Sequence, residues 1–330
     1  MMLMALSMQA QLPFKTQFVQ FVEGGSSMNC SIDPVTDKTY FSVSDPSNGN
    51  NEFVYEVSPE GKALTLSPEL LGTTIGINRI QNMIVHDGEM FGCGLNIMPG
   101  SPPSLWSKVY TETDTLRYPD QEISFSTPYD MHRSDDQLFV CGQLDDTTYI
   151  LGANHNGQLN WDTTIASNFS FSSLTSIGDT LYTFRHPTLF KFNAVTGAYI
   201  NSTWAGGEGV GDCVSKDGAI YWACASGPDL YWAKHVPDSD DVWWDSSLMP
   251  SNFSVKAVAV DDFDRFWIAG NDGDGGHLIV FSPSGIPTDH LLGAFISDIS
   301  IENGRVAICG GMGGNSPTDL KFLIVGILEE

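Results

Sequence analysis

The chain has 330 residues, 42% of them apolar and 11% aromatic, which is too rich in core-forming side chains for a disordered segment. Forty acidic against fifteen basic residues leave a net charge of −25, so a phosphate backbone is repelled and nucleic acid is excluded as a partner. No apolar run approaches the roughly 18 residues of a membrane-spanning helix, so no membrane insertion is expected.

At the start, Met1 to Ala10 is apolar without a basic residue, and Gln9-Ala10-Gln11 offers a small residue where a signal peptidase would cut. Residues 1–11 read as a signal-peptide remnant, with a frayed terminus as the alternative. The first reading places the protein in a secreted, periplasmic or cell-surface location. Next comes the alternating segment Phe14 to Val22, the pattern of a half-buried strand.

From there a unit recurs along the chain: a short apolar strand, a tight turn, a second strand ending in small residues, a polar loop, and an apolar hairpin. The second strands read Thr39 to Val43, Glu89 to Cys93, Gln137 to Cys141, Thr180 to Phe184, Ala219 to Ala223, Arg265 to Ala269 and Arg305 to Cys309. Hairpin turns at Asp87-Gly88, Gly178-Asp179, Asp217-Gly218 and Asn303-Gly304 supply residues tolerant of positive φ before four of them. Seven copies spaced by about 45 residues, each with four short antiparallel strands, predict an all-β, single seven-bladed β-propeller over residues 12–330. The last copy has room only for three strands, ending with Leu320 to Leu328. The N-terminal strand is therefore expected to fill the open edge and close the ring, bringing Phe18 beside Ile324.

Segments Val255 to Asp261, Phe266 to Ala269 and His277 to Gly285 resemble the repeats of the NHL and SMP-30/gluconolactonase propellers, and Leu189 to Gly197 is similar to YVTN and quinoprotein-like repeats. The gluconolactonase resemblance implies a divalent metal held by a Glu, an Asn and an Asp in the central pocket. Asp212 stands nearest to that Asp and Asn82 to that Asn, while no Glu occupies the aligned column.

Aligning the first strands places Cys30, Asn82, Asp130, Ser173, Asp212, Val258 and Asp298 in that column, facing or flanking the central channel. Asn82, Asp130, Asp212 and Asp298 are hard oxygen ligands suited to Ca²⁺ or Mg²⁺, and with Ser173 they make the candidate binding ring. The alternative is that each one accepts hydrogen bonds from the backbone of a neighbouring blade. Six cysteines without a CxxC pair read as buried small hydrophobes. Loops at Asp45 to Gly49, Leu95 to Ser107, Asn271 to Gly276 and Gly310 to Asp319 open on one face, and Asn271 to Gly276 reads as a turn or as a calcium loop. Trp222, Tyr231, Trp232, Trp243 and Trp244 either stack on a ligand or wedge between blades. His186 and His277 are the acid/base candidates, and no Gly-x-Ser-x-Gly elbow occurs.

These readings converge on a binding or scaffold module for a protein or carbohydrate ligand, with a metal-dependent lactonase or esterase as the rival class. The abrupt end after Ile327-Leu328-Glu329-Glu330 also fits the propeller portion of a longer exported protein.

Overall fold

A computed structural model describes residues 12–23, 28–45, 51–66, 79–95, 104–110, 116–117, 127–134, 137–144, 147–155, 158–166, 171–185, 188–204, 211–226, 229–237, 252–312 and 320–329. All regular structure among them is β. Strand β1 (Lys15–Glu23) is followed by sheet I with β2 (Met28–Ile32), β3 (Thr39–Asp45), β4 (Asn51–Val57) and β5 (Ala63–Leu66). Sheet II has β6 (Arg79–His86), β7 (Glu89–Leu95), β8 (Ser104–Tyr110) and β9 (Leu116–Arg117). Sheet III holds β10 (Thr127–Arg133), β11 (Gln137–Leu144), β12 (Thr147–Asn154) and β13 (Leu159–Ala166), and sheet IV β14 (Ser173–Ile177), β15 (Thr180–Arg185), β16 (Thr188–Asn193) and β17 (Tyr199–Trp204). In sheet V three strands are described: β18 (Gly211–Lys216), β19 (Ala219–Ser226) and β20 (Asp229–His235). Sheet VI contains β21 (Ser254–Val260), β22 (Phe266–Asn271), β23 (Gly276–Phe281) and β24 (Pro287–Leu291). The last strands are β25 (Phe295–Glu302), β26 (Arg305–Met312) and β27 (Leu320–Ile327), and sheet VII runs in the order β1-β27-β26-β25.

Each sheet is a meander of antiparallel neighbours. The expected turns carry it: Asp87 (φ 53°) with Gly88 (72°) and Asn303 (50°) with Gly304 (69°) take the doubly left-handed geometry whose twist matches the flanking strands. Strand β1 pairs with β27, with Phe18 opposite Val325 and Val19 opposite Ile324. Phe14, just before it, is buried against Trp267 of sheet VI.

The apolar core lies between sheets rather than inside any one of them. Met28, Cys30, Phe41 and Val43 of sheet I pack on Ala307, Cys309, Leu323 and Val325 of sheet VII. Phe184 of sheet IV stacks on Trp222 of sheet V at 5.1 Å, and Trp232 packs on Phe281 of sheet VI at 4.6 Å. With Tyr231 also against the core, these rings take the wedging alternative; Trp243 and Trp244 lie outside the described residues. All six cysteines are buried and unbridged.

The first strand of each sheet touches the first strand of the next, and β25 touches β2. Where sequence alignment sets Cys30 and Val258 in the column, the pairing register differs. Cys93, Cys141, Phe184, Ala223 and Cys309 face Asn82, Asp130, Ser173, Asp212 and Asp298, whereas the equivalent Val43 faces Met28 and Ala269 faces Ala257. Longer hairpin connections account for this, since six residues separate Ile32 from Thr39 and five separate Val260 from Phe266, against two between His86 and Glu89. Gln81, Tyr129, Lys256 and Ser297 are each an extra, bulged residue in a first strand. Residues 1–11 and the loop positions 46–50, 96–103 and 313–319 lie outside the described residues, as do His186 and Gly157.

Candidate binding channel

Seven first strands side by side leave a cavity of about 800 Å³, lined by Asn82, Asp130, Asp212 and Asp298 together with the bulge residues Gln81, Tyr129, Lys256 and Ser297. In β6, β10, β21 and β25 a bulge shifts the alternation by one and re-aims the side chains that follow, whereas β18 brings Asp212 to the cavity without one. Asp130 is nearly buried, while Asn82, Asp212 and Asp298 are partly so.

The ring residues are linked from sheet to sheet. The Asn82 amide donates to Asp130 Oδ1, and Asp130 Oδ2 accepts the Leu174 amide of sheet IV at 2.6 Å. Ser173 Oγ donates to Asp212 Oδ1 at 2.6 Å, and Asp212 Oδ2 accepts the Val258 amide of sheet VI at 2.9 Å. Asp298 Oδ2 accepts the Cys30 amide of sheet I at 2.9 Å. The two remaining junctions are bridged by Asn29 Nδ2 to the Ile80 carbonyl at 3.2 Å and by Asn271, which both donates to and accepts from the Ile296 backbone at 2.7 Å. A side-chain amide, hydroxyl or carboxylate thus joins every sheet to the next, including the last to the first.

These bonds compete with burial. Burial, reinforced by the charge of Asp212, pushes Asp130 up to about 8 despite its backbone donors. Burial also raises Asp212, and lifts Asp298 to about 7 with a small addition from Asp212. Among the described residues, Asp130, Asp212 and Asp298 do not bring three ligand atoms within 4.8 Å of one another.

Outside the ring, His277 is buried with Nδ1 3.0 Å from Asp289 and Nε2 3.2 Å from Asp272, and Asp289 leads in raising its pKa. Asp272 Oδ1 accepts the amides of Asp274 and Gly275 at 2.7 and 3.0 Å, which gives Asn271 to Gly276 the bonding of an Asx turn. Sequence reasoning missed a second cavity of about 460 Å³, between sheets III and IV, where His132 Nε2 lies 2.9 Å from Ser176 Oγ. Burial, then Arg133, pushes His132 down to about 4, so the imidazole is neutral. No motif marked this pair, because its two residues lie in different repeats.

Also missed was Asp33, wholly buried after β2. It accepts the Val35 amide (3.0 Å), the Thr36 hydroxyl (2.7 Å) and, across the sheet boundary, the Asp87 and Gly88 amides (both 2.8 Å). Its readable signal is an acid ending an apolar strand before Pro34-Val35-Thr36.

No family model matches the chain, and no curated protein matches it. Among solved structures, BamB from Moraxella catarrhalis is similar over 92% of this chain and 84% of that chain, with a TM-score of 0.53 at 10% identity. That likeness shows a β-propeller-like fold. In all, 882 solved chains match, so the scaffold is one that many proteins share and does not by itself define an activity.

Proposed function

We propose that residues 12–330 form one seven-bladed propeller closed by β1, and that the chain is an exported binding module taking a protein ligand at the channel mouth. The cyclic order of first-strand contacts and the β1–β27 pairing support the closed ring. One observation carries the functional reading: the carboxylates of Asp130, Asp212 and Asp298 each accept a backbone amide of the following sheet. Their geometry is that of a rigid girdle, which holds the bulge residues Gln81, Tyr129, Lys256 and Ser297 around the opening. Trp222 and Trp232, which could otherwise stack on a sugar, are used between sheets, so a protein ligand is favoured over a carbohydrate. With a net charge of −25, the complementary partner surface is basic.

A photo-crosslinker at position 256 tests this in cells, with position 289 on an outer strand as control. Partner adducts are expected from 256 and not from 289; equal labelling, or none from 256, refutes the mouth as the binding surface.

The repulsion between Asp130 and Asp212 favours a second reading, in which Ca²⁺ or Mg²⁺ sits on the axis and is held through water by Asn82, Asp130, Asp212 and Asp298. Under it the lactonase or esterase activity becomes the alternative. Chelator-sensitive hydrolysis that Asp212→Asn abolishes would establish it, and absence of turnover with Ca²⁺ and Mg²⁺ supplied would dismiss it.

A further inference from the structure

We propose that Cys30, Cys309 and Asp298 form a site for a thiophilic divalent cation of the Zn²⁺ class at the interface of sheets VII and I. The Sγ atoms of Cys30 and Cys309 and a carboxylate oxygen of Asp298 lie within 4.8 Å of one another. Metal–sulfur bonds of ~2.3 Å and metal–oxygen bonds of ~2.0 Å put tetrahedral ligands ~3.5–3.8 Å apart, so closing around an ion takes at most about an ångström of movement. No other His, Cys, Asp or Glu trio among the described residues comes this close.

The donor set differs from the oxygen ring of the channel. Two thiolates and one carboxylate select a borderline-soft ion over Ca²⁺ or Mg²⁺. Three protein ligands leave the fourth tetrahedral position to water, and Cys30 and Asp298 both line the channel, which supplies that water and a route of entry. The Asp298 carboxylate is already oriented, accepting the Cys30 amide at 2.9 Å and the Ile299 amide at 2.8 Å. Cys30 Sγ makes a long 3.5 Å contact to the Ala307 carbonyl and bonds the Cys309 thiol, the pair that an ion would bridge. Burial raises both thiols, and the adjoining Asp298 charge adds to this in each case. A cation reverses that penalty, and two thiol protons leave to solvent as it binds. Because β2 belongs to sheet I and β25 and β26 to sheet VII, the ion ties the first sheet to the last.

The full chain, reduced and stripped of metal, is titrated with Cd²⁺, whose thiolate complexes absorb in the ultraviolet. One equivalent is expected to raise the band, Zn²⁺ to displace it, Ca²⁺ to leave it unchanged, and the thermal midpoint to rise by ~5 °C. Cys30→Ser and Cys309→Ser abolish the band, and Cys224→Ser keeps it. In the unsubstituted protein, Zn²⁺ slows alkylation of Cys30 and Cys309 and leaves the rates at Cys93 and Cys224 unaltered, a readout that needs no variant to fold. No band with the fold intact, a band that survives in both serine variants, or uniform alkylation rates would overturn the site.

Discussion

Asp33 and Asp130 are both buried carboxylates that accept backbone amides from the neighbouring sheet, yet they sit on opposite sides of the ordinary carboxylate pKa. Burial is the largest influence on Asp33 too. The Thr36 hydroxyl and the Val35, Gly88 and Asp87 amides outweigh it and hold the group below its usual value. Asp130 also has donors, in the Leu174 and Met131 amides, the Ser173 hydroxyl and the Asn82 side chain, but it faces the charge of Asp212, so burial wins and it is pushed up to about 8. What separates a folded-state anion from a folded-state acid in this fold is the neighbouring negative charge, with burial and donors common to both.

The largest expected effect comes from breaking the anionic member of the pair. Asp33→Ala strands three amides and a hydroxyl and should lower the urea-unfolding free energy by about 3–5 kcal/mol. The second prediction concerns pH. Asp130 and Asp298 have raised folded-state pKa values, so their stabilising contribution is complete below the ordinary carboxylate value and is lost as pH rises through about 7 and about 8. Asp33 is depressed, so its contribution exists above the ordinary value and is lost as pH falls through its folded-state pKa. Thermal midpoints measured across pH should therefore peak in mildly acidic solution and decline toward alkaline pH, and a flat profile would contradict the contrast. Third, Asp130→Asn should reduce the alkaline decline and cost less than about 1 kcal/mol at pH ~8.5, with a greater cost at pH ~5. The smallest effect belongs to an outer pair, Lys216 with Asp262 at 2.8 Å, whose side chains are 31% and 45% exposed. Lys216→Met should change stability by under about 0.5 kcal/mol, and that little should vanish in high salt.

Much of the β architecture was readable because alternation and turn chemistry are local. Thr180 to Phe184 names its own strand, and Asn303-Gly304 its own hairpin. The pairing of the N-terminal segment with Leu320–Ile327 was legible through a missing strand, although Phe18 meets Val325 and Val19 takes Ile324. The bulges were not legible, because Gln81, Tyr129, Lys256 and Ser297 share no residue type, and the shift from Val258 to Ala257 came from the longer connection between Val260 and Phe266. For the ring, the sequence supplied residue identities and left open what each one would bond. Whether Asp298 faces an ion or the Cys30 amide depends on a contact between the two ends of the chain, which periodicity does not encode.

The pairing of β1 with β27 has a consequence for biosynthesis. A ribosome delivers Lys15–Glu23 before sheets I to VI and its hydrogen-bonding neighbour Leu320–Ile327 after them, so the earlier strand waits with an unpaired edge while those sheets are made. Sheets I to VI recruit all their described strands from contiguous stretches of chain and can assemble as they emerge, which makes the β1–β27 ladder the late step and the interval before it the period most open to chaperones and aggregation.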